Sequence, residues 1–124
     1  MSIAQAYLDI HNACRGVDGA IKNAELSADY SFLTNDVGVY YLVPTIEKAG
    51  YKQVIPLEVH VRADKSKQVQ ALAKVDAFRD GLCKKKLDRG WFTPSLVFIT
   101  DSKDTEGILH YILNFNYNTN FGGI

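Results

Sequence analysis

Residues 108–121 read ILHYILNFNYNTNF. Every second residue from Leu109 is apolar or aromatic: Leu109, Tyr111, Leu113, Phe115, Tyr117 and Phe121, broken only by Thr119. Between them stand His110, Asn114, Asn116, Asn118 and Asn120, with Ile112 the apolar exception. A strand sends alternate side chains to opposite faces, so this run predicts one greasy and one polar face. The greasy face needs a cover. The asparagine face, with Asn114, Asn116 and Asn118 in a row, suits solvent or a neighbouring subunit.

Upstream, two amphipathic segments can supply the cover. Ile3, Ala6, Tyr7, Ile10, Ala13, Cys14 and Val17 recur at helical spacing after Ser2, and Gly16 and Gly19 mark the end. A second helix is predicted over about residues 67–86, capped by Asp64 or Ser66. Its stripe is Val69, Leu72, Val75, Phe78, Leu82 and Cys83. Residues 20–37 lack a sustained period and read as a folded connector.

Between the helices, residues 39–48 and 51–64 predict a hairpin about Ala49-Gly50. With that turn Tyr40 opposes Val59, Leu42 opposes Leu57, and Pro44 opposes Ile55, giving one apolar face. The other face then carries Tyr41, Val43, Val54 and Pro56. The hairpin is long enough to overhang a small core, which makes those four residues candidates for a subunit contact. Residues 90–94 (GWFTP) read as a connector, 96–100 (LVFIT) as a buried strand, and 101–107 as a polar turn. The order α-β-β-α-β-β predicts an α+β fold: a mainly antiparallel four-stranded sheet with two helices packed on one face.

The chain of 124 residues is expected to form a single domain with a core that needs no metal or disulfide staple. Fourteen basic residues balance fourteen acidic ones. That balance argues against a general or sequence-specific nucleic-acid binder, which needs a basic surplus, and leaves self-association electrostatically unopposed. Cys14 and Cys83 read as buried thiols of a reducing compartment. No apolar run approaches a membrane span of roughly 20 residues, so no membrane partner is expected and synthesis is placed in the cytoplasm.

Catalytic chemistry is not legible. His11, His60 and His110 lie on three elements without HExxH, CxxC or His-x-His spacing, so neither metal nor cofactor is expected. Asp101, Asp104 and Glu106 read as turn chemistry. A Cys14–His pair is the weakest of the readings, since Cys14 falls in a helix stripe.

The whole outline resembles the tail-terminator proteins of long-tailed bacteriophages and their relatives among minor capsid and tail-completion proteins. The parallels are the N-terminal helix, the long hairpin, the amphipathic segment SKQVQALAKVDAFRDGL, the LVFIT strand after Thr-Pro, and the closing ILHYILNFNYNTNF. The resemblance implies a structural subunit without catalytic residues, made in the bacterial cytoplasm and located at the head-proximal end of a virion tail. There it would form a homo-oligomeric ring, commonly a hexamer, that caps the tail tube protein and meets the head–tail connector protein. The alternative is a small non-enzymatic binding module for a small ligand or protein, and an enzyme comes third.

Overall fold

The computed structural model describes residues 3–23, 37–44, 47–49, 52–84, 86–87, 89–101 and 108–120. Helix α1 spans Ile3–Val17, followed by strands β1 (Gly38–Leu42), β2 (Glu47–Ala49) and β3 (Lys52–Asp64). A 3-10 turn, Lys65–Lys67, leads into α2 (Gln68–Cys83). Strands β4 (Lys86–Leu87), β5 (Gly90–Asp101) and β6 (Ile108–Asn120) close the chain. The predicted order α-β-β-α-β-β is the observed one once the short β2 and β4, which bring the expected four strands to six, are set aside. The named strands pair antiparallel in the order β1-β3-β6-β5-β4, with β2 also on β3. An isolated parallel bridge between Lys22 and Tyr40 adds to the β1 edge.

Period-two alternation decides which side of the sheet the helices take. Ile55, Leu57, Val59, Val61 and Ala63 of β3 join Leu109, Tyr111, Leu113, Phe115 and Tyr117 of β6 in one buried cluster with residues of both helices. Helix α1 contributes Ala6, Ile10, Ala13 and Cys14 of its predicted stripe, while Tyr7 is 38% exposed and Val17 only half-buried. Helix α2 contributes Ala71, Val75, Phe78 and Leu82. Here the expected stripe is corrected at its start, because Val69 is 78% exposed and Leu72 lies largely at the surface. The steps 71, 75, 78 and 82 follow the helical period more closely than a stripe begun at Val69, and alanine fits where the helix meets the sheet. The expected cap is also corrected: Asp64 caps the 3-10 turn, its carboxylate accepting from the Ser66 amide at 2.9 Å, whereas the residue before α2 itself is Lys67, whose side chain makes no capping bond.

The hairpin register is also corrected. Tyr40 opposes His60, Tyr41 opposes Val59 and Leu42 opposes Glu58, one residue away from the register drawn from Ala49-Gly50. The physical cause is that the first arm is not one continuous strand. Ala49 pairs with Lys52 and Glu47 with Val54, so the five steps from Leu42 to Glu47 face only four on β3. One extra residue flips every β1 side chain to the opposite face. Tyr41 is therefore 1% exposed inside the helix-side core, and Val43 packs against that core. The expected overhang is absent along β3: β6 flanks it from Lys52 to Asp64, and its core residues run on to Ala63.

Residues 90–94 belong to β5 rather than to a connector. Gly90 pairs with Thr119, and the register shifts between Pro94 and Leu96. Proline has no amide for the ladder, so a bulge is where a strand accommodates it. Phe92 then enters the core with its ring 4.8 Å from that of Tyr117. The β5–β6 approach at Gly90 is so close that a methyl group there would meet the Asn118 carbonyl and, at 2.8 Å, the Tyr117 ring. The expected strand over 96–100 lies within β5. The polar turn over 102–107 and most of the connector over 20–37 fall outside the described residues.

Candidate functional site

Two polar arrangements stand out, one among the helices and one on the far face of the sheet. On the helix side, Asp9 of α1 accepts from both Arg89 nitrogens, at 3.1 and 2.7 Å, and from the Tyr117 hydroxyl at 2.9 Å. The Thr119 hydroxyl donates to the Arg89 carbonyl at 2.6 Å. The connection into β5 is thereby pinned by both its side chain and its backbone. The hydrogen bonds from Arg89 outweigh burial and, with that from Tyr117, hold the Asp9 carboxyl below the usual range. Burial, then the Asp9 charge, raises the Tyr117 hydroxyl in turn. At the other end of α1, burial pushes Asp18 upward, but Lys74 at 2.8 Å and the Ala20 amide at 2.9 Å win, and its net shift is downward.

Tyr41 meets His11 on this side, with its hydroxyl 2.6 Å from Nδ1. Burial, with a lesser contribution from Tyr7, raises its hydroxyl. Cys14 is fully buried in the same core, where a thiol is closed to a substrate. Burial also raises the Cys83 thiol. These contacts hold elements of the fold together.

The far face carries the remaining expected residues. Val54 and Pro56 of β3 pair with Asn118 and Asn116 of β6, and Glu58 pairs with Asn114. All are half-buried. Five of the seven predicted interface residues, Val54, Pro56, Asn114, Asn116 and Asn118, thus share one patch. Tyr41 and Val43 leave it because of the one-residue slip. The Asn118 amide donates to the Thr93 hydroxyl at 3.0 Å and lies 3.3 Å from the carbonyls of Trp91 and Asn116. Trp91, 44% exposed, flanks this end.

At the other end of the same face, sequence reading missed a cluster. His60 Nε2 lies 2.9 Å from Glu58 Oε1, and His60 Nδ1 lies 2.7 Å from His110 Nε2. Tyr40 stacks on His60 at 4.5 Å with an interplanar angle of 10°. Tyr40 is 1% and His60 6% exposed, although both point away from the helix-side core. His60 and His110 are fifty residues apart, and only the β3–β6 register brings them together. The available signal was their matching parity on two alternating strands. Among the described residues, no group of three or more His, Cys, Asp or Glu converges as a metal site.

No protein-family model matches this chain, and no curated protein does. Among solved structures, a chain of the "Virion of native gene transfer agent (GTA) particle" has the same fold, with a TM-score of 0.55 and 18% identity. The alignment covers 86% of this chain and 83% of that one. A protein from Akkermansia muciniphila solved without its transmembrane region aligns at a TM-score of 0.38 and 16% identity. That alignment covers 67% of this chain and 42% of the other.

Proposed function

We propose that this chain is a non-enzymatic structural subunit of a phage-like particle, acting at the head-proximal end of the tail. In this reading it forms a homo-oligomeric ring, a hexamer in the resembled family, that caps the tail tube protein and meets the head–tail connector protein. The observation that carries the proposal is the shared fold, over most of both chains, with a protein of a gene transfer agent virion. The far face offers the contact surface. It is broad, half-buried and of mixed polarity, and it combines Val54 and Pro56 with Asn114, Asn116 and Asn118. Mixed polarity is the usual character of surfaces that associate without being obligate.

Light scattering and negative-stain microscopy over a range of concentrations test the proposal. Rings, or association with isolated tail tubes, are expected. The double variant Val54→Asp with Asn116→Asp should dissociate them while far-ultraviolet circular dichroism stays that of the parent. A chain that stays monomeric at every concentration and ignores tail tubes would overturn the assignment.

A further inference from the structure

The hydrogen bonds along the β1 border set the phase of the whole sheet. Lys22 donates its amide to the Val39 carbonyl at 3.1 Å and accepts from the Tyr41 amide at 2.9 Å. In an antiparallel ladder a residue turns its N–H and its C=O to one side, and successive residues turn to opposite sides. Val39 and Tyr41 therefore face away from β3, while Gly38, Tyr40 and Leu42 exchange bonds with Arg62, His60 and Glu58. The intervening β3 residues Leu57, Val59 and Val61 turn to β6, where they meet Phe115, Leu113 and Tyr111. That leaves Asn114, Ile112 and His110 turned to β5, where they meet Leu96, Phe98 and Thr100. The alternate residues Val97, Ile99 and Asp101 present both backbone groups to the outer edge.

Both prolines of the sheet obey this phase. Pro94, opposite Phe115, falls on the outer side of β5, where no amide is asked for. Pro56 falls on the β1 side of β3, between Val54, which pairs with β2, and Glu58, which pairs with β1. Gly90 also turns outward, and there β4 meets it through Leu87. Beyond Trp91, among the described residues, no strand lies on the outer side of β5, and Pro94 and Ser95 are exposed there. Natural sheets blunt such an edge with lysine, proline or a bulge. Here Pro94 and the bulge stand at one end and Asp101 at the other, with Leu96–Thr100 (LVFIT) uncharged between them. A run that reads as an interior strand lies at the edge.

We propose that a second copy of this chain pairs along that edge, β5 against β5, antiparallel about a two-fold axis at Ile99. The occupant follows from what else a copy offers. At the opposite border Lys22 already bonds Val39 and Tyr41. Of β2 only Lys48 turns outward, since Glu47 and Ala49 face Val54 and Lys52. Among the described strands, a β5 edge finds its match only in another β5 edge, which makes the contact isologous and closes it at two copies. With Ile99 opposite itself, Val97 opposes Asp101, and every outward residue from Val97 to Asp101 is used. The Asp101 carboxylate then meets no like charge, whereas sliding the register toward the C-terminus would bring the two carboxylates together. The balanced net charge leaves the approach unopposed. The pairing concerns the free chain and stands without the virion role proposed above.

Sedimentation of the unaltered chain over a range of concentrations should show a species of twice the chain mass. Amide hydrogen exchange then reads the phase of the edge. In concentrated solution Val97, Ile99 and Asp101 should all be protected, and on dilution they should lose protection while Phe98 and Thr100, bonded to β6, keep theirs. In a sample mixed from isotope-labelled and unlabelled chains, the Hα of Phe98 should show a nuclear Overhauser contact to the Hα of Thr100 in the other copy, because these two form the close, non-bonded pair beside the axis. Ile99→Pro removes an outward amide and leaves the β6 ladder intact; it should abolish the pair while circular dichroism stays that of the parent. The measurements on the unaltered chain decide the matter if that variant fails to fold. A chain that stays monomeric, protection of Val97, Ile99 and Asp101 that survives dilution, or pairs and rings that form without the 98–100 contact would each overturn the pairing. The last of these would leave the virion role standing.

Discussion

The helix-side face of β6 is closed by aliphatic and aromatic side chains from both helices, and Leu109 to Tyr117 on that side are all buried. Its far face, built from the alternate residues of the same strand, is half-buried from Ile108 to Asn118 and held by hydrogen bonds among His110, His60, Glu58, Asn118 and Thr93. The strand is one element under two regimes. Dispersion and apolar burial are non-directional and spread over many neighbours. A polar network depends on each member's proton and orientation. Insult to the helix side should therefore cost global stability, whereas insult to the far face should change local order or assembly.

The sharpest way to break that comparison is to place a charge at positions of β1 and β3 that face opposite sides of the sheet. Tyr41→Asp puts a carboxylate in the helix-side core in place of a ring that bonds His11. It should cost about 4 kcal/mol or more, leaving little or no folded protein by circular dichroism. Val54→Asp, on the far face, should cost less than about 1 kcal/mol and act on association instead. Comparable unfolding by both would show that the two faces are equally structural.

Truncation gives the next largest contrast. Phe78→Ala removes a fully buried ring of α2 and should lower stability by about 3–5 kcal/mol in urea unfolding. Ile112→Ala removes a half-buried side chain on the far face and should cost about 1 kcal/mol. An Ile112 penalty as large as that of Phe78 would mean the far face carries a core of its own.

What the sequence disclosed follows the same division. The alternation of residues 108–121 and of β3 was legible because a two-residue period repeated over many positions outvotes single exceptions. Helix α1 was legible for the same reason, with its buried residues at the predicted places. The short β1 was misread: five residues carry too little alternation to set their own register, and the turn used to set it lay beyond a local insertion. Tyr40 and Tyr41, adjacent and alike, gave no chemical hint of which was inside. Nor did Val69 and Leu72, apolar residues that the start of α2 leaves at the surface. Of the interface candidates, those on long strands kept their common face, and Tyr41 of β1 and Val43 just beyond it did not. The His60–His110 contact left only a matching parity in the sequence, since it depends on a pairing between strands separated by a whole helix.

The Asp9 pin sharpens the comparison through pH. Asp9→Asn removes the charge that Arg89 and Tyr117 address, and should cost about 1–3 kcal/mol at neutral pH. The lower end is favoured because Arg89 is 43% exposed and water can serve it. The folded carboxyl sits below its usual value, so its contribution is complete above about pH 4 and fades as pH falls through the folded value. Urea midpoints of parent and variant should differ at pH 7 and converge only as pH falls below the usual carboxylate range. A constant difference would assign the loss to shape rather than charge.

The smallest expected effect tests how tightly the helix side is packed. A methyl group on Gly81 of α2 would lie 2.8 Å from Val17 Cγ2 of α1, closer than unstrained packing permits. Alanine gains about 1 kcal/mol over glycine in a helix interior, while overpacking costs about 1–3 kcal/mol. Because Val17 is only half-buried and can yield, Gly81→Ala should end near 1 kcal/mol less stable than the parent. With Val17→Ala in place the obstruction is gone and only the helical gain remains. The same substitution should then stabilise by up to about 1 kcal/mol. The sign change in a double-mutant cycle is the diagnostic, since residues in contact couple by about 0.5–3 kcal/mol. Equal effects in both backgrounds would show that glycine at 81 is not there for the α1–α2 approach. The tight packing ascribed to the helix side would then rest on the sheet contacts alone.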